Sequence, residues 1–280
     1  MTLALDALIL PAFDDLEGLP GEATPWYDRY DLSRTLSVRG LAEPLAHDGT
    51  VGVVPTGVGK VAAATTTTAL CASDSLSLSE TLILSVGVAG GPPELPIGSV
   101  VVADSILDWD DKCRFDDGTP PLSLNPYTDG QGVFVLESES VERARETASE
   151  VTLRDAERES SVQDSGQSGD LPRITGGVNV CGDELWHGKR MAQQVEWLTD
   201  KRNIGPYRAT EMEDAGTAGA LARFGLLGQY LSVRAISNYD RPTDGRPARE
   251  SFFDPAFEAG FDPAVENAVK VADAIVQEQR

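Results

Sequence analysis

Residues 51–72 read VGVVPTGVGKVAAATTTTALCA, in which a short β-branched run, a glycine turn and a helix-forming run follow one another. Val51–Val54 predicts a buried strand, because β-branched residues favour extended backbone. Val61–Ala72 contains neither glycine nor proline and predicts a helix. A strand, a glycine turn and a helix in this order form half of a βαβ unit.

The same alternation of strand and helix signals continues along the chain. Apolar segments predict further strands over Ala4–Ala12, Thr81–Val88, Gly98–Ile106, Ile174–Val180, Tyr207–Met212 and Tyr230–Ser237. Amphipathic segments predict helices over Ser138–Val151, His187–Leu198, Ala215–Phe224 and Asp262–Gln279, the last with Asp262 as its N-cap. Strands that alternate with helices favour an α/β fold with a mostly parallel or mixed sheet covered on both faces.

One domain is expected over residues 1–280, because a single α/β domain routinely reaches this length. Arg154–Arg173 differs from its surroundings, since it is mostly Ser, Asp, Glu, Gln, Gly and Arg and contains no aromatic residue. Such a segment buries too little apolar surface to offset its ordering entropy. We predict that a flexible acidic and polar insertion at about 154–173 interrupts the domain.

The charge of the chain excludes several classes of partner. Twenty-three Lys and Arg residues stand against forty-five Asp and Glu residues, which gives a formal net charge of −22. A surface this negative repels phosphate backbones and anionic lipids, so nucleic-acid and membrane binding are not expected. Excess carboxylates with few lysines are typical of a salt-adapted (halophilic) protein, since salt screens the self-repulsion. An acidic mesophilic enzyme is the alternative.

Cysteine and histidine usage argues against disulfides and metal sites. Cys71, Cys113 and Cys181 are odd in number and far apart, which favours reduced thiols in a cytoplasm. His47 and His187 are the two histidines of the sequence, so a His-rich metal site is not expected. No run approaches the ~18–20 apolar residues that a membrane span needs. We expect a cytoplasmic protein without a metal or a cofactor.

Two common catalytic motifs are not supported. The turn Gly57-Val58-Gly59-Lys60 lacks the spacing of a phosphate loop and the Ser or Thr after the lysine, so a tight strand-to-helix turn is the better interpretation. The sequence also lacks the GxSxG elbow of a serine hydrolase.

Three groups of segments carry a stronger signal. The first is TGVGKVAAA at 56–64 with SVGVAGG at 85–91 and IGSVVVAD at 97–104; the second is GDELWHG at 182–188; the third is EMEDAGTA at 211–218 with VRAISN at 233–238. In this order they resemble the nucleoside phosphorylase superfamily, which includes purine nucleoside phosphorylases and methylthioadenosine nucleosidases. WHG at 186–188, residues 211–217 and SNYDRP at 237–242 are most similar to the purine nucleoside permease family.

The resemblance implies a three-layer α/β/α sandwich with a mixed central sheet, and it implies roles for two catalytic residues. Cleavage of an N-glycosidic bond passes through an oxocarbenium-like sugar. Glu213 matches the carboxylate that accepts hydrogen bonds from the ribose hydroxyls. Asn238 matches the residue that contacts purine N7 and the six-position, where its amide N–H stabilises the departing base. The alternative interpretation of Asn238 is a turn residue after a strand, with Asp240 performing the base chemistry.

Further substrate contacts are implied in the same way. Met212 would pack against the sugar, with a core methionine as the alternative. Trp186 matches an aromatic residue that lies against the base, with a core tryptophan at a helix start as the alternative. Gly87 and Val88, within Ser85–Gly91, would bring backbone amides to the sugar or to the nucleophile.

The nucleophile is left open between phosphate and water. Leu84 and Ser85 occupy the region where bacterial phosphorylases carry a phosphate-binding arginine, and Pro11–Asp15 replaces their N-terminal phosphate loop. Ser85 and three arginines, some from a neighbouring subunit, are the candidate phosphate ligands. The arginines are Arg29, Arg34 and Arg39.

We therefore predict a purine nucleoside phosphorylase that cleaves guanosine and inosine with phosphate as co-substrate. A purine nucleosidase that uses water is the first alternative. A non-catalytic nucleoside-binding or transport accessory protein is the second, although such a binder has no need of Glu213 together with Asn238. The resemblance also implies a homo-oligomer, as a dimer, trimer or hexamer.

Overall fold

The computed structural model describes residues 2–14, 21–116, 122–128, 132–155, 170–253 and 259–280. Within them the strands are β1 (Leu3–Ala4), β2 (Ala7–Leu10), β3 (Arg34–Leu36), β4 (Leu45–His47), β5 (Val51–Val53), β6 (Leu76–Ser77), β7 (Leu82–Gly91), β8 (Val100–Val102), β9 (Ser105–Asp108), β10 (Lys112–Arg114), β11 (Leu122–Leu124), β12 (Val133–Val135), β13 (Ile174–Thr175), β14 (Val178–Cys181), β15 (Tyr207–Glu211) and β16 (Tyr230–Tyr239). The helices are α1 (Thr24–Arg29), α2 (Lys60–Cys71), α3 (Ser138–Ser149), α4 (Lys189–Arg202), α5 (Asp214–Arg223), α6 (Ala248–Phe252) and α7 (Phe261–Glu278).

Strand β7 lies at the centre of a mixed sheet whose main order is β12-β9-β14-β15-β7-β2-β5-β4-β3. Its first half pairs in parallel with β2, and β16 pairs in parallel with it from Ile83 to Gly91. Strand β15 joins β7 in antiparallel orientation at Gly90. Strand β8 extends β16 on its far edge. The continuous apolar run of β7 is explained by this central position, because side chains on both of its faces are covered.

Helices cover both faces of the sheet. Helix α7 contacts β7, β8 and β16 and packs beside α1 and α3, whereas α5 contacts α2, β9, β12 and β16. On β16, Ser232 and Arg234 reach Asp214 at the start of α5. Because side chains alternate along a strand, Val233 and Ala235 face the opposite layer. The predicted three-layer α/β/α arrangement with a mixed sheet is thus confirmed.

Four sequence predictions need correction. The segment predicted as one strand over Gly98–Ile106 forms β8 and β9, because the chain turns where Ala103 and Asp104 donate to separate carbonyls. The segments over Ala4–Ala12 and Ile174–Val180 are likewise divided into two strands each. Helix α7 begins at Phe261 after Gly260, so Asp262 lies inside the first turn and is not its N-cap.

Most of the predicted insertion at about 154–173 lies outside the described residues. Its two ends are fixed to the sheet and to α7. The Arg154 amide donates to Asn267 Oδ1 at 2.7 Å, and the Arg173 amide donates to Ser99 Oγ at 3.2 Å.

Candidate active site

A pocket of about 520 Å³ opens where β7, β15 and β16 end beside the segment that follows β2. Its walls combine apolar rings with a few polar groups, as is typical of small-molecule sites. The described residues that line it are Ala12, Phe13, Glu22, Val58, Val88, Ala89, Gly90, Leu185, Thr210, Glu211, Met212, Glu213, Ser237, Asn238, Phe252, Phe253 and Phe261.

Glu213 lies between β15 and α5, and two groups hold its carboxylate. The Gly59 amide donates to Oε1 at 3.0 Å, and Arg234 Nη1 lies 3.5 Å from Oε2. Gly59 has a φ of 92°, a conformation that favours glycine, and it precedes the first residue of α2. The positive end of α2 therefore faces the Glu213 carboxylate, which favours its charge.

Arg234 is the centre of a buried ion cluster beneath the pocket. Its side chain is only 1% exposed, so its charge must be met inside the protein. Nη2 donates to Asp214, to Ser85 Oγ at 2.8 Å, and lies 3.1 Å from Glu211 Oε2. Burial raises the pKa of Asp214, but the Arg234 charge and hydrogen bonds outweigh it and hold that pKa below its ordinary value.

Glu22 fills a gap in the sheet and was not singled out by the sequence analysis. Between the stretches of β7 that pair with β2 and β15, the Val88 amide donates to Glu22 Oε1 at 2.8 Å, and the Ala12 amide donates to Oε2 at 2.8 Å. A Cβ at Gly87 would lie 2.3 Å from Glu22 Oε1, so only glycine allows this approach. Burial raises the pKa of Glu22 to about 7; Arg234 opposes this rise. The Glu22 carboxyl can therefore take up or release a proton near neutral pH.

The amide of Asn238 lies at the end of β16 on the pocket wall. Its Oδ1 accepts from Ser237 Oγ at 2.9 Å, and one hydrogen of Nδ2 is donated to the Tyr239 carbonyl at 3.2 Å. The second Nδ2 hydrogen is free for another acceptor. Thr210 and Gly90 lie beside it, since a Cβ at Gly90 would meet Thr210 Oγ1 and Asn238 Nδ2.

Two other predicted substrate contacts, Met212 and Val88, also line the pocket, while Gly87 lies behind Glu22. Trp186 is not brought to the described pocket wall. Its ring packs against Trp109 with centroids 6.5 Å apart, which fits the core alternative, and its neighbour Leu185 lines the pocket instead.

Asp240 is buried behind the wall. Its carboxylate accepts from Tyr207 Oη and from Arg241 Nε, both at 2.7 Å. These partners give Asp240 a structural role in joining the ends of β15 and β16.

The predicted phosphate ligands do not converge on the described pocket. Arg29 lies 3.8 Å from Asp273 on α7, and Arg34 Nη2 lies 3.4 Å from His47 Nδ1 on the neighbouring strand. Arg39 is exposed, and the Ser85 hydroxyl donates to Asp214 at 2.6 Å beneath the site. The described pocket wall carries three carboxyl side chains and no Lys, Arg or His.

The described residues form neither a metal-binding cluster nor a membrane-spanning helix. They contain no group of three or more His, Cys, Asp or Glu side chains arranged to hold a metal ion. No helix in the same part of the chain combines the length and apolar character needed to cross a bilayer.

The family model described as purine nucleoside permease (NUP) matches residues 5–279. Because the match covers nearly the whole sequence, the chain belongs to this family, and the predicted resemblance is confirmed.

Curated relatives carry two kinds of name. A probable purine nucleoside permease of Schizosaccharomyces pombe is 27% identical over 261 residues, 79% of this chain and 75% of that protein. A purine nucleoside permease of Candida albicans is 26% identical over 269 residues, 83% of this chain and 66% of that protein. A 5′-methylthioadenosine/S-adenosylhomocysteine nucleosidase of Mycobacterium bovis is 28% identical over 166 residues, 56% of this chain and 58% of that protein. The chain thus spans about two thirds to three quarters of the length of the two permeases.

Solved structures of nucleoside hydrolases share the fold. Futalosine hydrolase of Helicobacter pylori superposes with a TM-score of 0.66 at 20% identity, covering 98% of both chains. A 5′-methylthioadenosine/S-adenosylhomocysteine nucleosidase of Neisseria meningitidis gives a TM-score of 0.64 at 18% identity, covering 99% of both chains. The chain therefore has a nucleosidase-like fold.

Proposed function

We propose that this chain cleaves the N-glycosidic bond of 6-oxopurine nucleosides such as guanosine and inosine, with water as the nucleophile. The observation that carries the proposal is Glu22, a buried carboxyl whose pKa lies at about 7 and which lines the same pocket as Glu213 and Asn238. The nucleosidase-like fold supports this reaction class.

Each of the three side chains has one task. Glu213 accepts hydrogen bonds from the ribose hydroxyls and balances the cationic sugar. Glu22 takes a proton from water as the water oxygen forms its bond to the anomeric carbon. The C–N bond breaks with its electron pair on the purine, and Asn238 donates to that developing anion. The purine anion then takes a proton from solvent, and Glu22 releases its proton to solvent, so the products are free ribose and the neutral purine.

Hydrolysis is favoured over phosphorolysis by the charge of the described pocket. A phosphate dianion would meet the carboxylates of Glu22 and Glu213 without a cationic side chain on the described wall. Arg234 is nearby, but Asp214 and Glu211 already engage it. Placing a phosphate dianion close to carboxylates in a desolvated site costs free energy through like-charge repulsion. Water is neutral and can donate to Glu22, so its binding does not carry this cost.

The test is to incubate purified protein with guanosine and with inosine, in phosphate-free buffer and in added phosphate. Release of base and free ribose at the same rate in both buffers is expected. Formation of ribose 1-phosphate only when phosphate is present would replace the proposal by phosphorolysis. Nucleoside binding by calorimetry without any base release would replace it by the non-catalytic binder.

A further inference from the structure

Glu211 lies in the described wall two residues before Glu213, and its two carboxyl oxygens have opposite surroundings. Oε2 accepts from the Glu213 amide at 2.7 Å and the Asp214 amide at 2.9 Å, and it lies 3.1 Å from Arg234 Nη2. Oε1 is buried and has no hydrogen-bond partner among the described residues. Three donors thus crowd one oxygen while the other has none.

Asp214 also contacts Arg234 Nη2, but both of its carboxylate oxygens already accept hydrogen bonds. Its Oδ1 accepts from Ser85 Oγ and Arg234, and its Oδ2 accepts from Asn179 Nδ2 at 2.7 Å and from Ser232 Oγ. An ionised carboxylate offers about four acceptor sites. A proton on Asp214 would displace one of these donors, whereas a proton on Glu211 Oε1 displaces none.

The charges of the cluster also require a proton. Glu211, Glu213 and Asp214 surround the single guanidinium of Arg234, with no other cation in the buried cluster as far as the structure describes it. Burying an uncompensated carboxylate is costly, so the acid with a buried oxygen that no donor reaches, Glu211, is expected to stay neutral. The titratable or charged groups that face Glu211 are Cys181 on β14, Glu213 and Asp214 around the start of α5, and Tyr230 and Arg234 on β16.

We propose that Glu211 is a neutral carboxylic acid with its proton on Oε1, and that it is a positioning residue for Glu213. The second half rests on the proposed function, because it assumes that the Glu213 carboxylate binds the sugar. Glu211 Oε2 fixes the Glu213 backbone by accepting its amide hydrogen. Since neutral Glu211 adds no negative charge, the positive charge of Arg234 remains available to the Glu213 carboxylate, whose Oε2 lies 3.5 Å from Nη1.

The environment of Oε1 is consistent with this protonation state. Burial raises the pKa of Glu211 well above its ordinary value, and the neighbouring charge of Asp214 raises it further. Cys181 pairs with Glu211 across β14 and β15, and burial raises the pKa of its thiol too. Because that thiol is neutral, it adds no negative charge beside the Glu211 carboxyl.

Infrared spectroscopy of the ligand-free protein tests the proton directly. At about pH 9, ordinary carboxyls are ionised. The wild type should still show the carbonyl stretch of a neutral carboxylic acid, and Glu211→Gln should lack that band. A wild-type spectrum without any such band, or a band that survives in Glu211→Gln unchanged, would overturn the proposal. The first of these outcomes needs no folded variant.

Kinetics tests whether Glu211 positions Glu213 in its neutral form, with a matched pair of variants. Gln has the shape of a protonated Glu, so Glu211→Gln should lose no more than about fivefold in kcat/KM, while Glu213→Gln should lose about 10²–10³. Equal losses in the two variants would show that Glu211 works as an anion. If the wild type releases no base, the proposed function fails, and the infrared band still decides the protonation of Glu211.

Discussion

Glu213 combines a structural contact with its proposed role in sugar binding. Glu213→Gln can retain the hydrogen bond from Gly59, because an amide oxygen can occupy the Oε1 position 3.0 Å from that amide. It removes the charge that faces Arg234 and the cationic sugar. We expect kcat to fall by about 10²–10³, as for loss of one preorganised electrostatic contact. Circular dichroism and thermal unfolding control for folding, and near-normal turnover would remove Glu213 from the mechanism.

The ionisation of Glu22 should determine the acidic limb of the pH–rate profile. With a pKa of about 7, Glu22 is protonated at lower pH and cannot accept a proton from water. We expect kcat/KM to fall about tenfold per pH unit below pH 7 and to level off above it. Glu22→Gln should lose activity at every pH, and a profile that stays flat down to pH 5 would contradict the assignment.

The same shift predicts a pH-dependent stability. The ordinary carboxyl pKa of Glu22 is 4.5, and the folded value is about 7. Between these values the folded state binds more protons than the unfolded state, so stability falls as pH rises through this window. The Glu22→Gln variant lacks this titration. The melting temperature of Glu22→Gln should therefore rise relative to that of the wild type as pH increases from about 4.5 to 7. A difference in melting temperature that stays constant over this range would contradict the assigned pKa.

Asn238 should determine base preference. Its free Nδ2 hydrogen suits a six-oxo acceptor, whereas the amino group of adenosine would leave two donors facing each other. An unsatisfied buried donor costs about 1–3 kcal/mol, so guanosine and inosine should exceed adenosine by roughly tenfold to a hundredfold. Asn238→Asp should narrow that gap in kcat/KM, because a carboxyl can accept from the amino group.

Asp240→Asn is the matched control for Asn238→Asp. Asp240 is turned toward Tyr207 and Arg241, behind the pocket wall. Its substitution should lower stability without changing the ratio of guanosine to adenosine turnover. Adenosine as the better wild-type substrate, or a ratio altered only by Asp240→Asn, would overturn the assignment of Asn238.

Sequence motifs brought some site residues to notice and missed others for a physical reason. Met212 and Glu213 directly follow β15, and Asn238 lies at the end of β16, so the ends of two strands bring them together. Glu22 lies in an acidic loop without periodicity, and its position depends on the gap between β2 and β15 along β7. Arg234 had a visible signal, a charged residue inside the apolar run of β16, which indicates a buried ion cluster.

At the scale of elements, the packing of α2 against α5 holds Gly59 in position beside Glu213. A Cβ at Gly216 would lie 2.3 Å from the Lys60 carbonyl oxygen and 3.1 Å from the Ala64 amide, so the two helices touch through backbone. Gly216→Ala should destabilise the protein by about 1–3 kcal/mol, because backbone cannot rotate away from the added methyl. It should also lower kcat/KM, since a shifted α2 carries Gly59 away from Glu213. Urea unfolding measures the first effect.

Gly219→Ala provides the matched control in the same helix. A Cβ at Gly219 would meet Phe134 at 3.5 Å, an ordinary contact. Replacing a helix-interior glycine with alanine at such a position should stabilise by about 0.5–1 kcal/mol. A Gly216→Ala variant as stable as Gly219→Ala would show that the helices separate without cost.

Element types were predictable from the sequence, and their partners were less so. The apolar period identified β7, β16 and the long helices to within a few residues. Whether Gly98–Ile106 was one strand or two depended on tertiary hydrogen bonds from Ala103 and Asp104, which leave no trace in a hydrophobic pattern. The start of α7 was also set by packing, because Gly260 lies against the Ser237 carbonyl at the end of β16.

At the scale of the molecule, several of the few positive charges are engaged in buried or partly buried ion pairs. Arg234 and Arg202 are paired in buried sites, and Lys60 lies within 2.7 Å of both Asp108 and Asp110. With 23 basic against 45 acidic residues, most of the remaining carboxylates have no positive partner to balance them. Their mutual repulsion acts through solvent and opposes the compact state.

Salt should therefore stabilise this protein. The screening length falls from about 30 Å at 0.01 M to about 3 Å at 1 M salt, which weakens repulsion between carboxylates on neighbouring elements. We expect the melting temperature at neutral pH to rise steadily across this range of KCl.

At about pH 4.5, where carboxyl groups are partly protonated, the same titration should give a smaller rise. Because both conditions share any effect of KCl on apolar burial, the difference between them isolates the −22 formal charge as the cause. A melting temperature that does not change with KCl at neutral pH would contradict salt adaptation, and an equal rise at both pH values would assign the effect to apolar burial.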